Sequence, residues 1–273
     1  ENDTNSIYET NYNSKDSKII DNKKNNIPAK INYVVWTDIF ICPNLNNELN
    51  FYDLVVINNE ILEKFNCPDC KSLLEKKDLE RCWITVVDQK TNKSIRQLKQ
   101  IPVLIDYKKN GEAKHFEKVP DEYDFSIIKK TNELKNNLWY PHMSIPKGEK
   151  TNEALRFNIT HTHQYYTRRN LFALAQLNHL IEKISLKRIR NMGKFVLTSF
   201  NPSFVSKITR YNFKKRGNSP LTGTIYFPSF QVERNVNYVL KNKVRDIKKI
   251  VGLKRTKNVI ISNQSSSSVP QIL

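Results

Sequence analysis

Ile31-Asn32-Tyr33-Val34-Val35-Trp36 is the stretch on which the fold class turns, a β-branched and aromatic run typical of a strand. Residues 1–30 before it are a polar Asn/Lys/Ser tract. They carry too little apolar surface to order themselves, so structure is expected to begin at Ile31. Beyond it, residues 39–70 read as two short strands joined by turns, ending in Cys67-Pro68-Asp69-Cys70. Residues 83–87 and 101–107 read as further strands, with a Lys/Asn/Gly turn at 108–111. Residues 120–150 are acidic and then irregular. Pro141 and Pro146 argue against long helices there, so the segment reads as a linker.

The second half has clearer periodicity. Thr167 is placed to cap a helix carrying Leu171, Leu174, Leu177, Ile181 and Ile184, ending near Gly193. Phe195-Val196-Leu197-Thr198-Ser199 reads as a buried strand, and 220–228, with Gly223, as another. An amphipathic helix is expected next, with Val232, Val236, Val239 or Leu240, Val244, Ile247 and Val251 on one face, stopped by Gly252. Val259-Ile260-Ile261 reads as a short strand and the serines at 265–268 as a loop. Helices and strands in this alternation suggest part of an α/β sheet. The expected organisation is a disordered 1–30, a β-rich unit and linker over 31–150, and a basic α/β region over 151–273.

Charge separates the same halves. Residues 1–150 hold 23 Lys and Arg against 23 Asp and Glu, whereas 151–273 hold 22 against 4, which is the whole excess of +18. A one-sided positive field captures polyanions, and Tyr and Arg interleave with the lysines, so nucleic acid is the expected partner. No run of 18 apolar residues exists to span a membrane. Residues 1–30 lack the apolar core of a secretory signal. Four cysteines do not make a disulfide framework, so a cytoplasmic location is expected.

Two constellations carry chemistry. Cys42 with Cys67-x-x-Cys70 has the look of a zinc ribbon, in which two Cys-x-x-Cys knuckles share one metal. The first knuckle, however, reads Cys42-Pro43-Asn44-Leu45, and leucine cannot ligate. Cys42, Cys67 and Cys70 are therefore expected to form a degraded site without tight zinc, with Cys82 a fourth ligand only if its strand folds back. His161-x-His163 precedes Tyr165, Tyr166, Arg168 and Arg169. On a strand the two imidazoles would share a face, to chelate a metal, approach a phosphate or orient a turn. Arg168 and Arg169 at a helix start suit phosphates and Tyr166 suits base stacking; the alternative is anchoring tyrosines and solvated arginines. Lys207, Arg210 and Tyr211 lie in a basic loop that reads as a phosphate contact. Gly-rich phosphate loops and hydrolase, metalloprotease or kinase signatures are absent from the sequence.

Read in series, several stretches resemble adenine-specific DNA methyltransferases that carry a zinc-ribbon-like insert. They are Lys30-Ile31-Asn32-Tyr33-Val34-Val35-Trp36-Thr37-Asp38 leading into Cys42-Pro43, then Cys67-Pro68-Asp69-Cys70, Lys77-Asp78-Leu79-Glu80-Arg81 and Gln100-Ile101-Pro102-Val103-Leu104-Ile105. Ile159-Thr160-His161-Thr162-His163, Tyr166-Thr167-Arg168-Arg169-Asn170-Leu171, Pro220-Leu221-Thr222-Gly223-Thr224 and Val259-Ile260-Ile261-Ser262-Asn263-Gln264-Ser265 complete the series. The resemblance implies a partial Rossmann-like methyltransferase sheet with a small β-rich zinc-ribbon-like insert. It also implies S-adenosylmethionine as cofactor, double-stranded DNA as partner and a flipped adenine as substrate. The chain would be a fragment lying between the family's Phe-x-Gly-x-Gly cofactor loop and its Asp-Pro-Pro-Phe/Tyr motif. It would have no catalytic residue of its own, with the remaining parts of the methyltransferase, and a cognate restriction enzyme, as further partners. Asn263, Gln264 and Ser265 would border the cofactor pocket. His161, His163, Tyr166, Arg168, Arg169, Lys207, Arg210 and Tyr211 would contact DNA. The rival reading is a non-enzymatic basic nucleic-acid-binding module.

Overall fold

The computed structural model describes residues 4, 6–13, 26–109, 111–214 and 217–251. Strands β1 (Glu9–Asn13), β2 (Asn26–Ile41) and β3 (Glu48–Asn50) lead into the short helix α1 (Phe51–Val55). Two small hairpins follow, β4 (Val56–Ile57) with β5 (Glu60–Ile61), and β6 (Lys64–Asn66) with β7 (Leu73–Glu75). Next come β8 (Glu80–Arg81), the hairpin of β9 (Trp83–Asp88) and β10 (Lys93–Leu98), then β11 (Gln100–Lys108) and β12 (Phe116–Lys118). The rest is helical except for one strand: α2 (Glu122–Glu133), α3 (Asn152–Arg156), α4 (Arg168–Glu182), α5 (Lys187–Phe204), β13 (Phe230–Arg234) and α6 (Val236–Val251).

The stretch at 31–36 lies at the heart of β2, which pairs with β1, β11, β13, β3 and β8. A strand covered on both faces reads as a continuous apolar run rather than an alternating one, which is what Val34-Val35 supplies. On one side Ile31 and Val34 pack with Phe172 and Leu174 of α4, Val196 and Phe200 of α5, and Val236 and Val239 of α6. On the other, Val35 and Phe40 pack with Phe51, Phe65, Phe230, Val232 and the cysteines Cys42 and Cys67.

The α/β class holds only in its coarse form: mixed antiparallel sheets and six helices. Among the described residues every strand pairing is antiparallel, and no Rossmann-like parallel sheet is formed. The strand expected at 195–199 belongs to α5, where Val196 and Phe200, one turn apart, are the buried positions. The stretch 220–228 forms turns between Pro220 and Pro228, and the strand follows at β13. That strand takes Val232 out of the expected helix, which starts at Val236 after Asn235 caps the amides of Asn237 and Tyr238. Nor is 120–150 wholly irregular. Asp121 caps α2 through Tyr123 and Asp124, and twelve residues fit ahead of Pro141. Ser6 to Asn13 are ordered where disorder was expected, because β1 pairs with β2 and Tyr8, 1% exposed, donates its hydroxyl to Asn170 Oδ1 at 2.7 Å. The Val259-Ile260-Ile261 strand and the cofactor-side candidates Asn263, Gln264 and Ser265 lie outside the described residues. No described helix is long and apolar enough to cross a membrane.

Candidate functional site

Three features are built on this frame: a cysteine cluster, a polar cleft and a basic helical face.

β2 delivers Cys42, and the turn of the β6–β7 hairpin delivers Cys67 and Cys70. The two turns are made alike. The Cys42 amide donates to Asn47 O and the Asn46 amide to Cys42 O; the Cys67 amide donates to Ser72 O and the Lys71 amide to Cys67 O. Asn46 (φ 55°) and Lys71 (φ 61°) sit in the same left-handed conformation. Leu45 thus occupies, half exposed, the place in the first turn that Cys70 holds in the second. Cys42 Sγ lies 3.7 Å from Cys67 Sγ and 3.8 Å from Cys70 Sγ, and the three sulfurs are all within 4.8 Å. Thiolates bound at about 2.3 Å around a tetrahedral metal lie about 3.8 Å apart, so the sulfur triangle fits three corners of a zinc site. Cys82 does not supply the fourth corner, because its thiol turns to Glu48 Oε1 at 3.6 Å, itself held by Lys99. Hydrogen bonds from Ser72 and Asn44 lower the Cys70 thiol to about 6, which favours the ligating thiolate. Bound zinc would clamp the end of β2 to the β6–β7 hairpin and leave one coordination position open.

The cleft, about 310 Å³, lies between the β9–β10 hairpin, α2, the start of α4 and residues Trp36, Gln231 and Glu233 of the main sheet. His163 Nε2 meets Asp88 Oδ2 at 2.7 Å, and Gln164 Nε2 donates to the same oxygen at 2.9 Å. Burial would raise the Asp88 carboxyl. Hydrogen bonds from Gln164, His163 and the Lys90 and Thr91 amides prevail and hold it at about 2. Burial also lowers the His163 imidazole despite Asp88, keeping it neutral. At the floor, Glu233 accepts from Trp36 Nε1 at 3.0 Å, Thr167 Oγ1 and the Arg169 guanidinium.

The sequence-predicted DNA contacts scatter over this geometry. Thr167 caps α4 by accepting from the Asn170 amide, and Arg169 at that helix start is 4% exposed and paired with Glu233, so it is a core residue rather than a solvated one. His161 immediately precedes a 3-10 turn (Thr162–Tyr165) that contains His163, so neither lies on a strand, and His163 is buried against Asp88. Tyr211 is buried beside Phe213 and Tyr33. Tyr166, Arg168 and Lys207 line the cleft, Arg168 donating to Leu134 O at 2.9 Å, while Arg210 alone of the set is exposed. Asp88, Trp36 and Glu233 escaped the sequence reading. For Glu233 a signal exists: it is the one acid between Glu182 and Asp246, set in an apolar strand, which marks a buried partner.

A concentration of cations lies on α5 and α6, which pack side by side, Lys243 lying over the Phe204 ring. Lys187, Arg188, Arg190 and Lys194 on α5 and Lys241, Lys243, Arg245, Lys248 and Lys249 on α6 meet two acids, Asp246 on α6 and Glu182 of α4, which pairs with Lys194 at 2.7 Å. No family model, curated protein or solved structure matches the chain.

Proposed function

We propose that the chain binds duplex DNA through the α5–α6 face and serves as the DNA-gripping part of an adenine-specific DNA methyltransferase that uses S-adenosylmethionine. The observation that carries the DNA half of this reading is the nine cations of α5 and α6, seven of them exposed, against a single acid on those two helices. Phosphate neutralisation there releases counterions, and that release supplies most of the sequence-independent affinity for DNA. The methyltransferase half rests on the serial sequence resemblance, with cofactor and target base held by other parts of the enzyme. The three-cysteine site stiffens the unit beneath the sheet without taking part in chemistry.

Fluorescence anisotropy with a labelled duplex tests the first half. Affinity should fall steeply between low and moderate salt, and replacing Lys187, Arg188, Lys241 and Arg245 by Ala should make the log–log salt slope shallower by about 3 to 4. An unchanged slope in that variant would falsify the assignment of the face. For the second half, the gene should carry a Phe-x-Gly-x-Gly segment upstream of Glu1 and an Asp-Pro-Pro-Phe/Tyr segment soon after Leu273. Neither in any frame would leave a stand-alone basic nucleic-acid-binding module, a reading that the antiparallel pairing of every described strand favours.

A further inference from the structure

We infer that the cleft is a binding site for a nucleoside monophosphate, its flat nitrogen heterocycle among the aromatic walls and its phosphate at Lys207 and Arg168. The inference does not depend on the DNA reading, since it uses none of the α5 or α6 cations.

Two carboxylates line the cleft, but both are already satisfied. Asp88 accepts from His163, Gln164 and two backbone amides, and Glu233 from Arg169, Thr167 and Trp36. Lys207 has no hydrogen-bond or ion-pair partner for its amine among the described residues, and Arg168 has a carbonyl but no carboxylate. The site is therefore locally cationic and short of an anion. α4 begins at Arg168 in the cleft wall, so the positive end of its dipole adds to the potential there, although Thr167 already accepts from the Asn170 amide. Withdrawal from water lowers the Lys207 amine to about 8 against the pull of the Glu233 carboxylate, so Lys207 is a desolvated amine without a direct ion pair.

The rest of the lining fits a heterocycle. Trp36 and Tyr166, half-buried, supply aromatic surface for stacking, and the buried rings of Tyr140, Phe157 and Phe227 back the wall behind them. His163 adds a hydrogen-bond acceptor. Asp88 can only accept, so Nε2 of the neutral ring carries the proton and Nδ1 keeps a lone pair, buried and without a partner. An exocyclic amine or ring N–H of a base would satisfy it. The volume is at the lower end of the range for small-molecule pockets, enough for one nucleotide. The same unit is offered by a free nucleotide or by an exposed nucleotide of a DNA strand.

Calorimetry on the full chain, with AMP, adenosine and inorganic phosphate titrated separately, tests this. AMP should bind, with adenosine and phosphate each weaker by about ten-fold or more. Lys207→Met should weaken AMP by about 10- to 100-fold and leave adenosine unchanged, Arg168→Gln should act in the same direction, and Lys147→Met, an exposed lysine outside the cleft, should have no effect. Adenosine binding as tightly as AMP, AMP binding unaltered in both the Lys207 and Arg168 variants, or no heat with AMP would each overturn the inference. Displacement of AMP by single-stranded oligodeoxyadenylate would assign the site to a strand-borne nucleotide, and failure to displace it would assign it to the free one.

Discussion

Arg169 and Glu233 illustrate how a residue's meaning depends on a partner the local sequence does not reveal. Beside Tyr165, Tyr166 and Arg168 the guanidinium looks like a phosphate ligand, yet its carboxylate comes from a strand 64 positions away. Removing one partner of a buried pair leaves the other charge without compensation. Arg169→Met should therefore destabilise the fold by about 3–5 kcal/mol in chemical denaturation, while the protein still folded keeps its DNA affinity. Loss of DNA affinity without loss of stability would return Arg169 to the interface. Asp88 and His163 set the acid limit. Both are lowered in the folded chain from ordinary values of 3.8 and 6.5, so the unfolded chain binds more protons in that range. Their contribution is complete above about pH 6.5, declines first as unfolded His163 protonates, and is lost as pH falls through about 2. Asp88→Asn should flatten the fall of stability between about pH 4 and pH 2. A fall as steep as in the parent would show that other groups dominate it.

At the scale of elements, the cysteine turns were legible because a knuckle is a local structure. Its spacing, its left-handed residue and its ligands sit within six positions, and the sequence exposed both the intact copy and the one with Leu45. Since the first turn keeps its hydrogen bonds and its left-handed Asn46, only the ligand is missing. Leu45→Cys should therefore close the site. Outer-shell partners alone typically carry 10- to 100-fold in metal affinity, so a fourth thiolate should tighten zinc by at least about 100-fold in a chelator competition. No gain would mean that the Leu45 position does not point a side chain at the sulfur triangle. Helix α5 was illegible for the opposite reason. Its buried positions are few, its outward face carries the apolar Ile189, Met192 and Phe195, and its Gly193 resembles a helix stop. That glycine is instead where α4 touches α5. A Cβ at this position would come within 3.1 Å of Ile181 Cγ2, so any larger residue must push that side chain aside by a few tenths of an ångström.

For the molecule as a whole, the charge boundary near residue 150 is not a folding boundary. β13 from the basic half pairs with β2 from the neutral half across five residue pairs, and its Phe230 and Val232 fill the core beneath the cysteine turns. From the other direction, Ile7 and Tyr8 enter the core formed by α4, α5 and α6. Composition could show where the cations lie, but pairing between segments some 200 positions apart leaves no local trace, so the shared sheet was hidden. The consequence is cooperativity. Each fully buried Val or Phe side chain is worth roughly 1.5–3 kcal/mol, so separating the halves withdraws several such contributions from both cores at once and exposes the edge of β2 that β13 covers. The intact chain should melt in a single transition seen alike by far-ultraviolet circular dichroism and tryptophan fluorescence. Segments 1–150 and 151–273 prepared separately should show no cooperative melt, and mixing them should restore part of it. A sharp, independent transition in either half would refute the shared core and make the charge boundary a domain boundary after all.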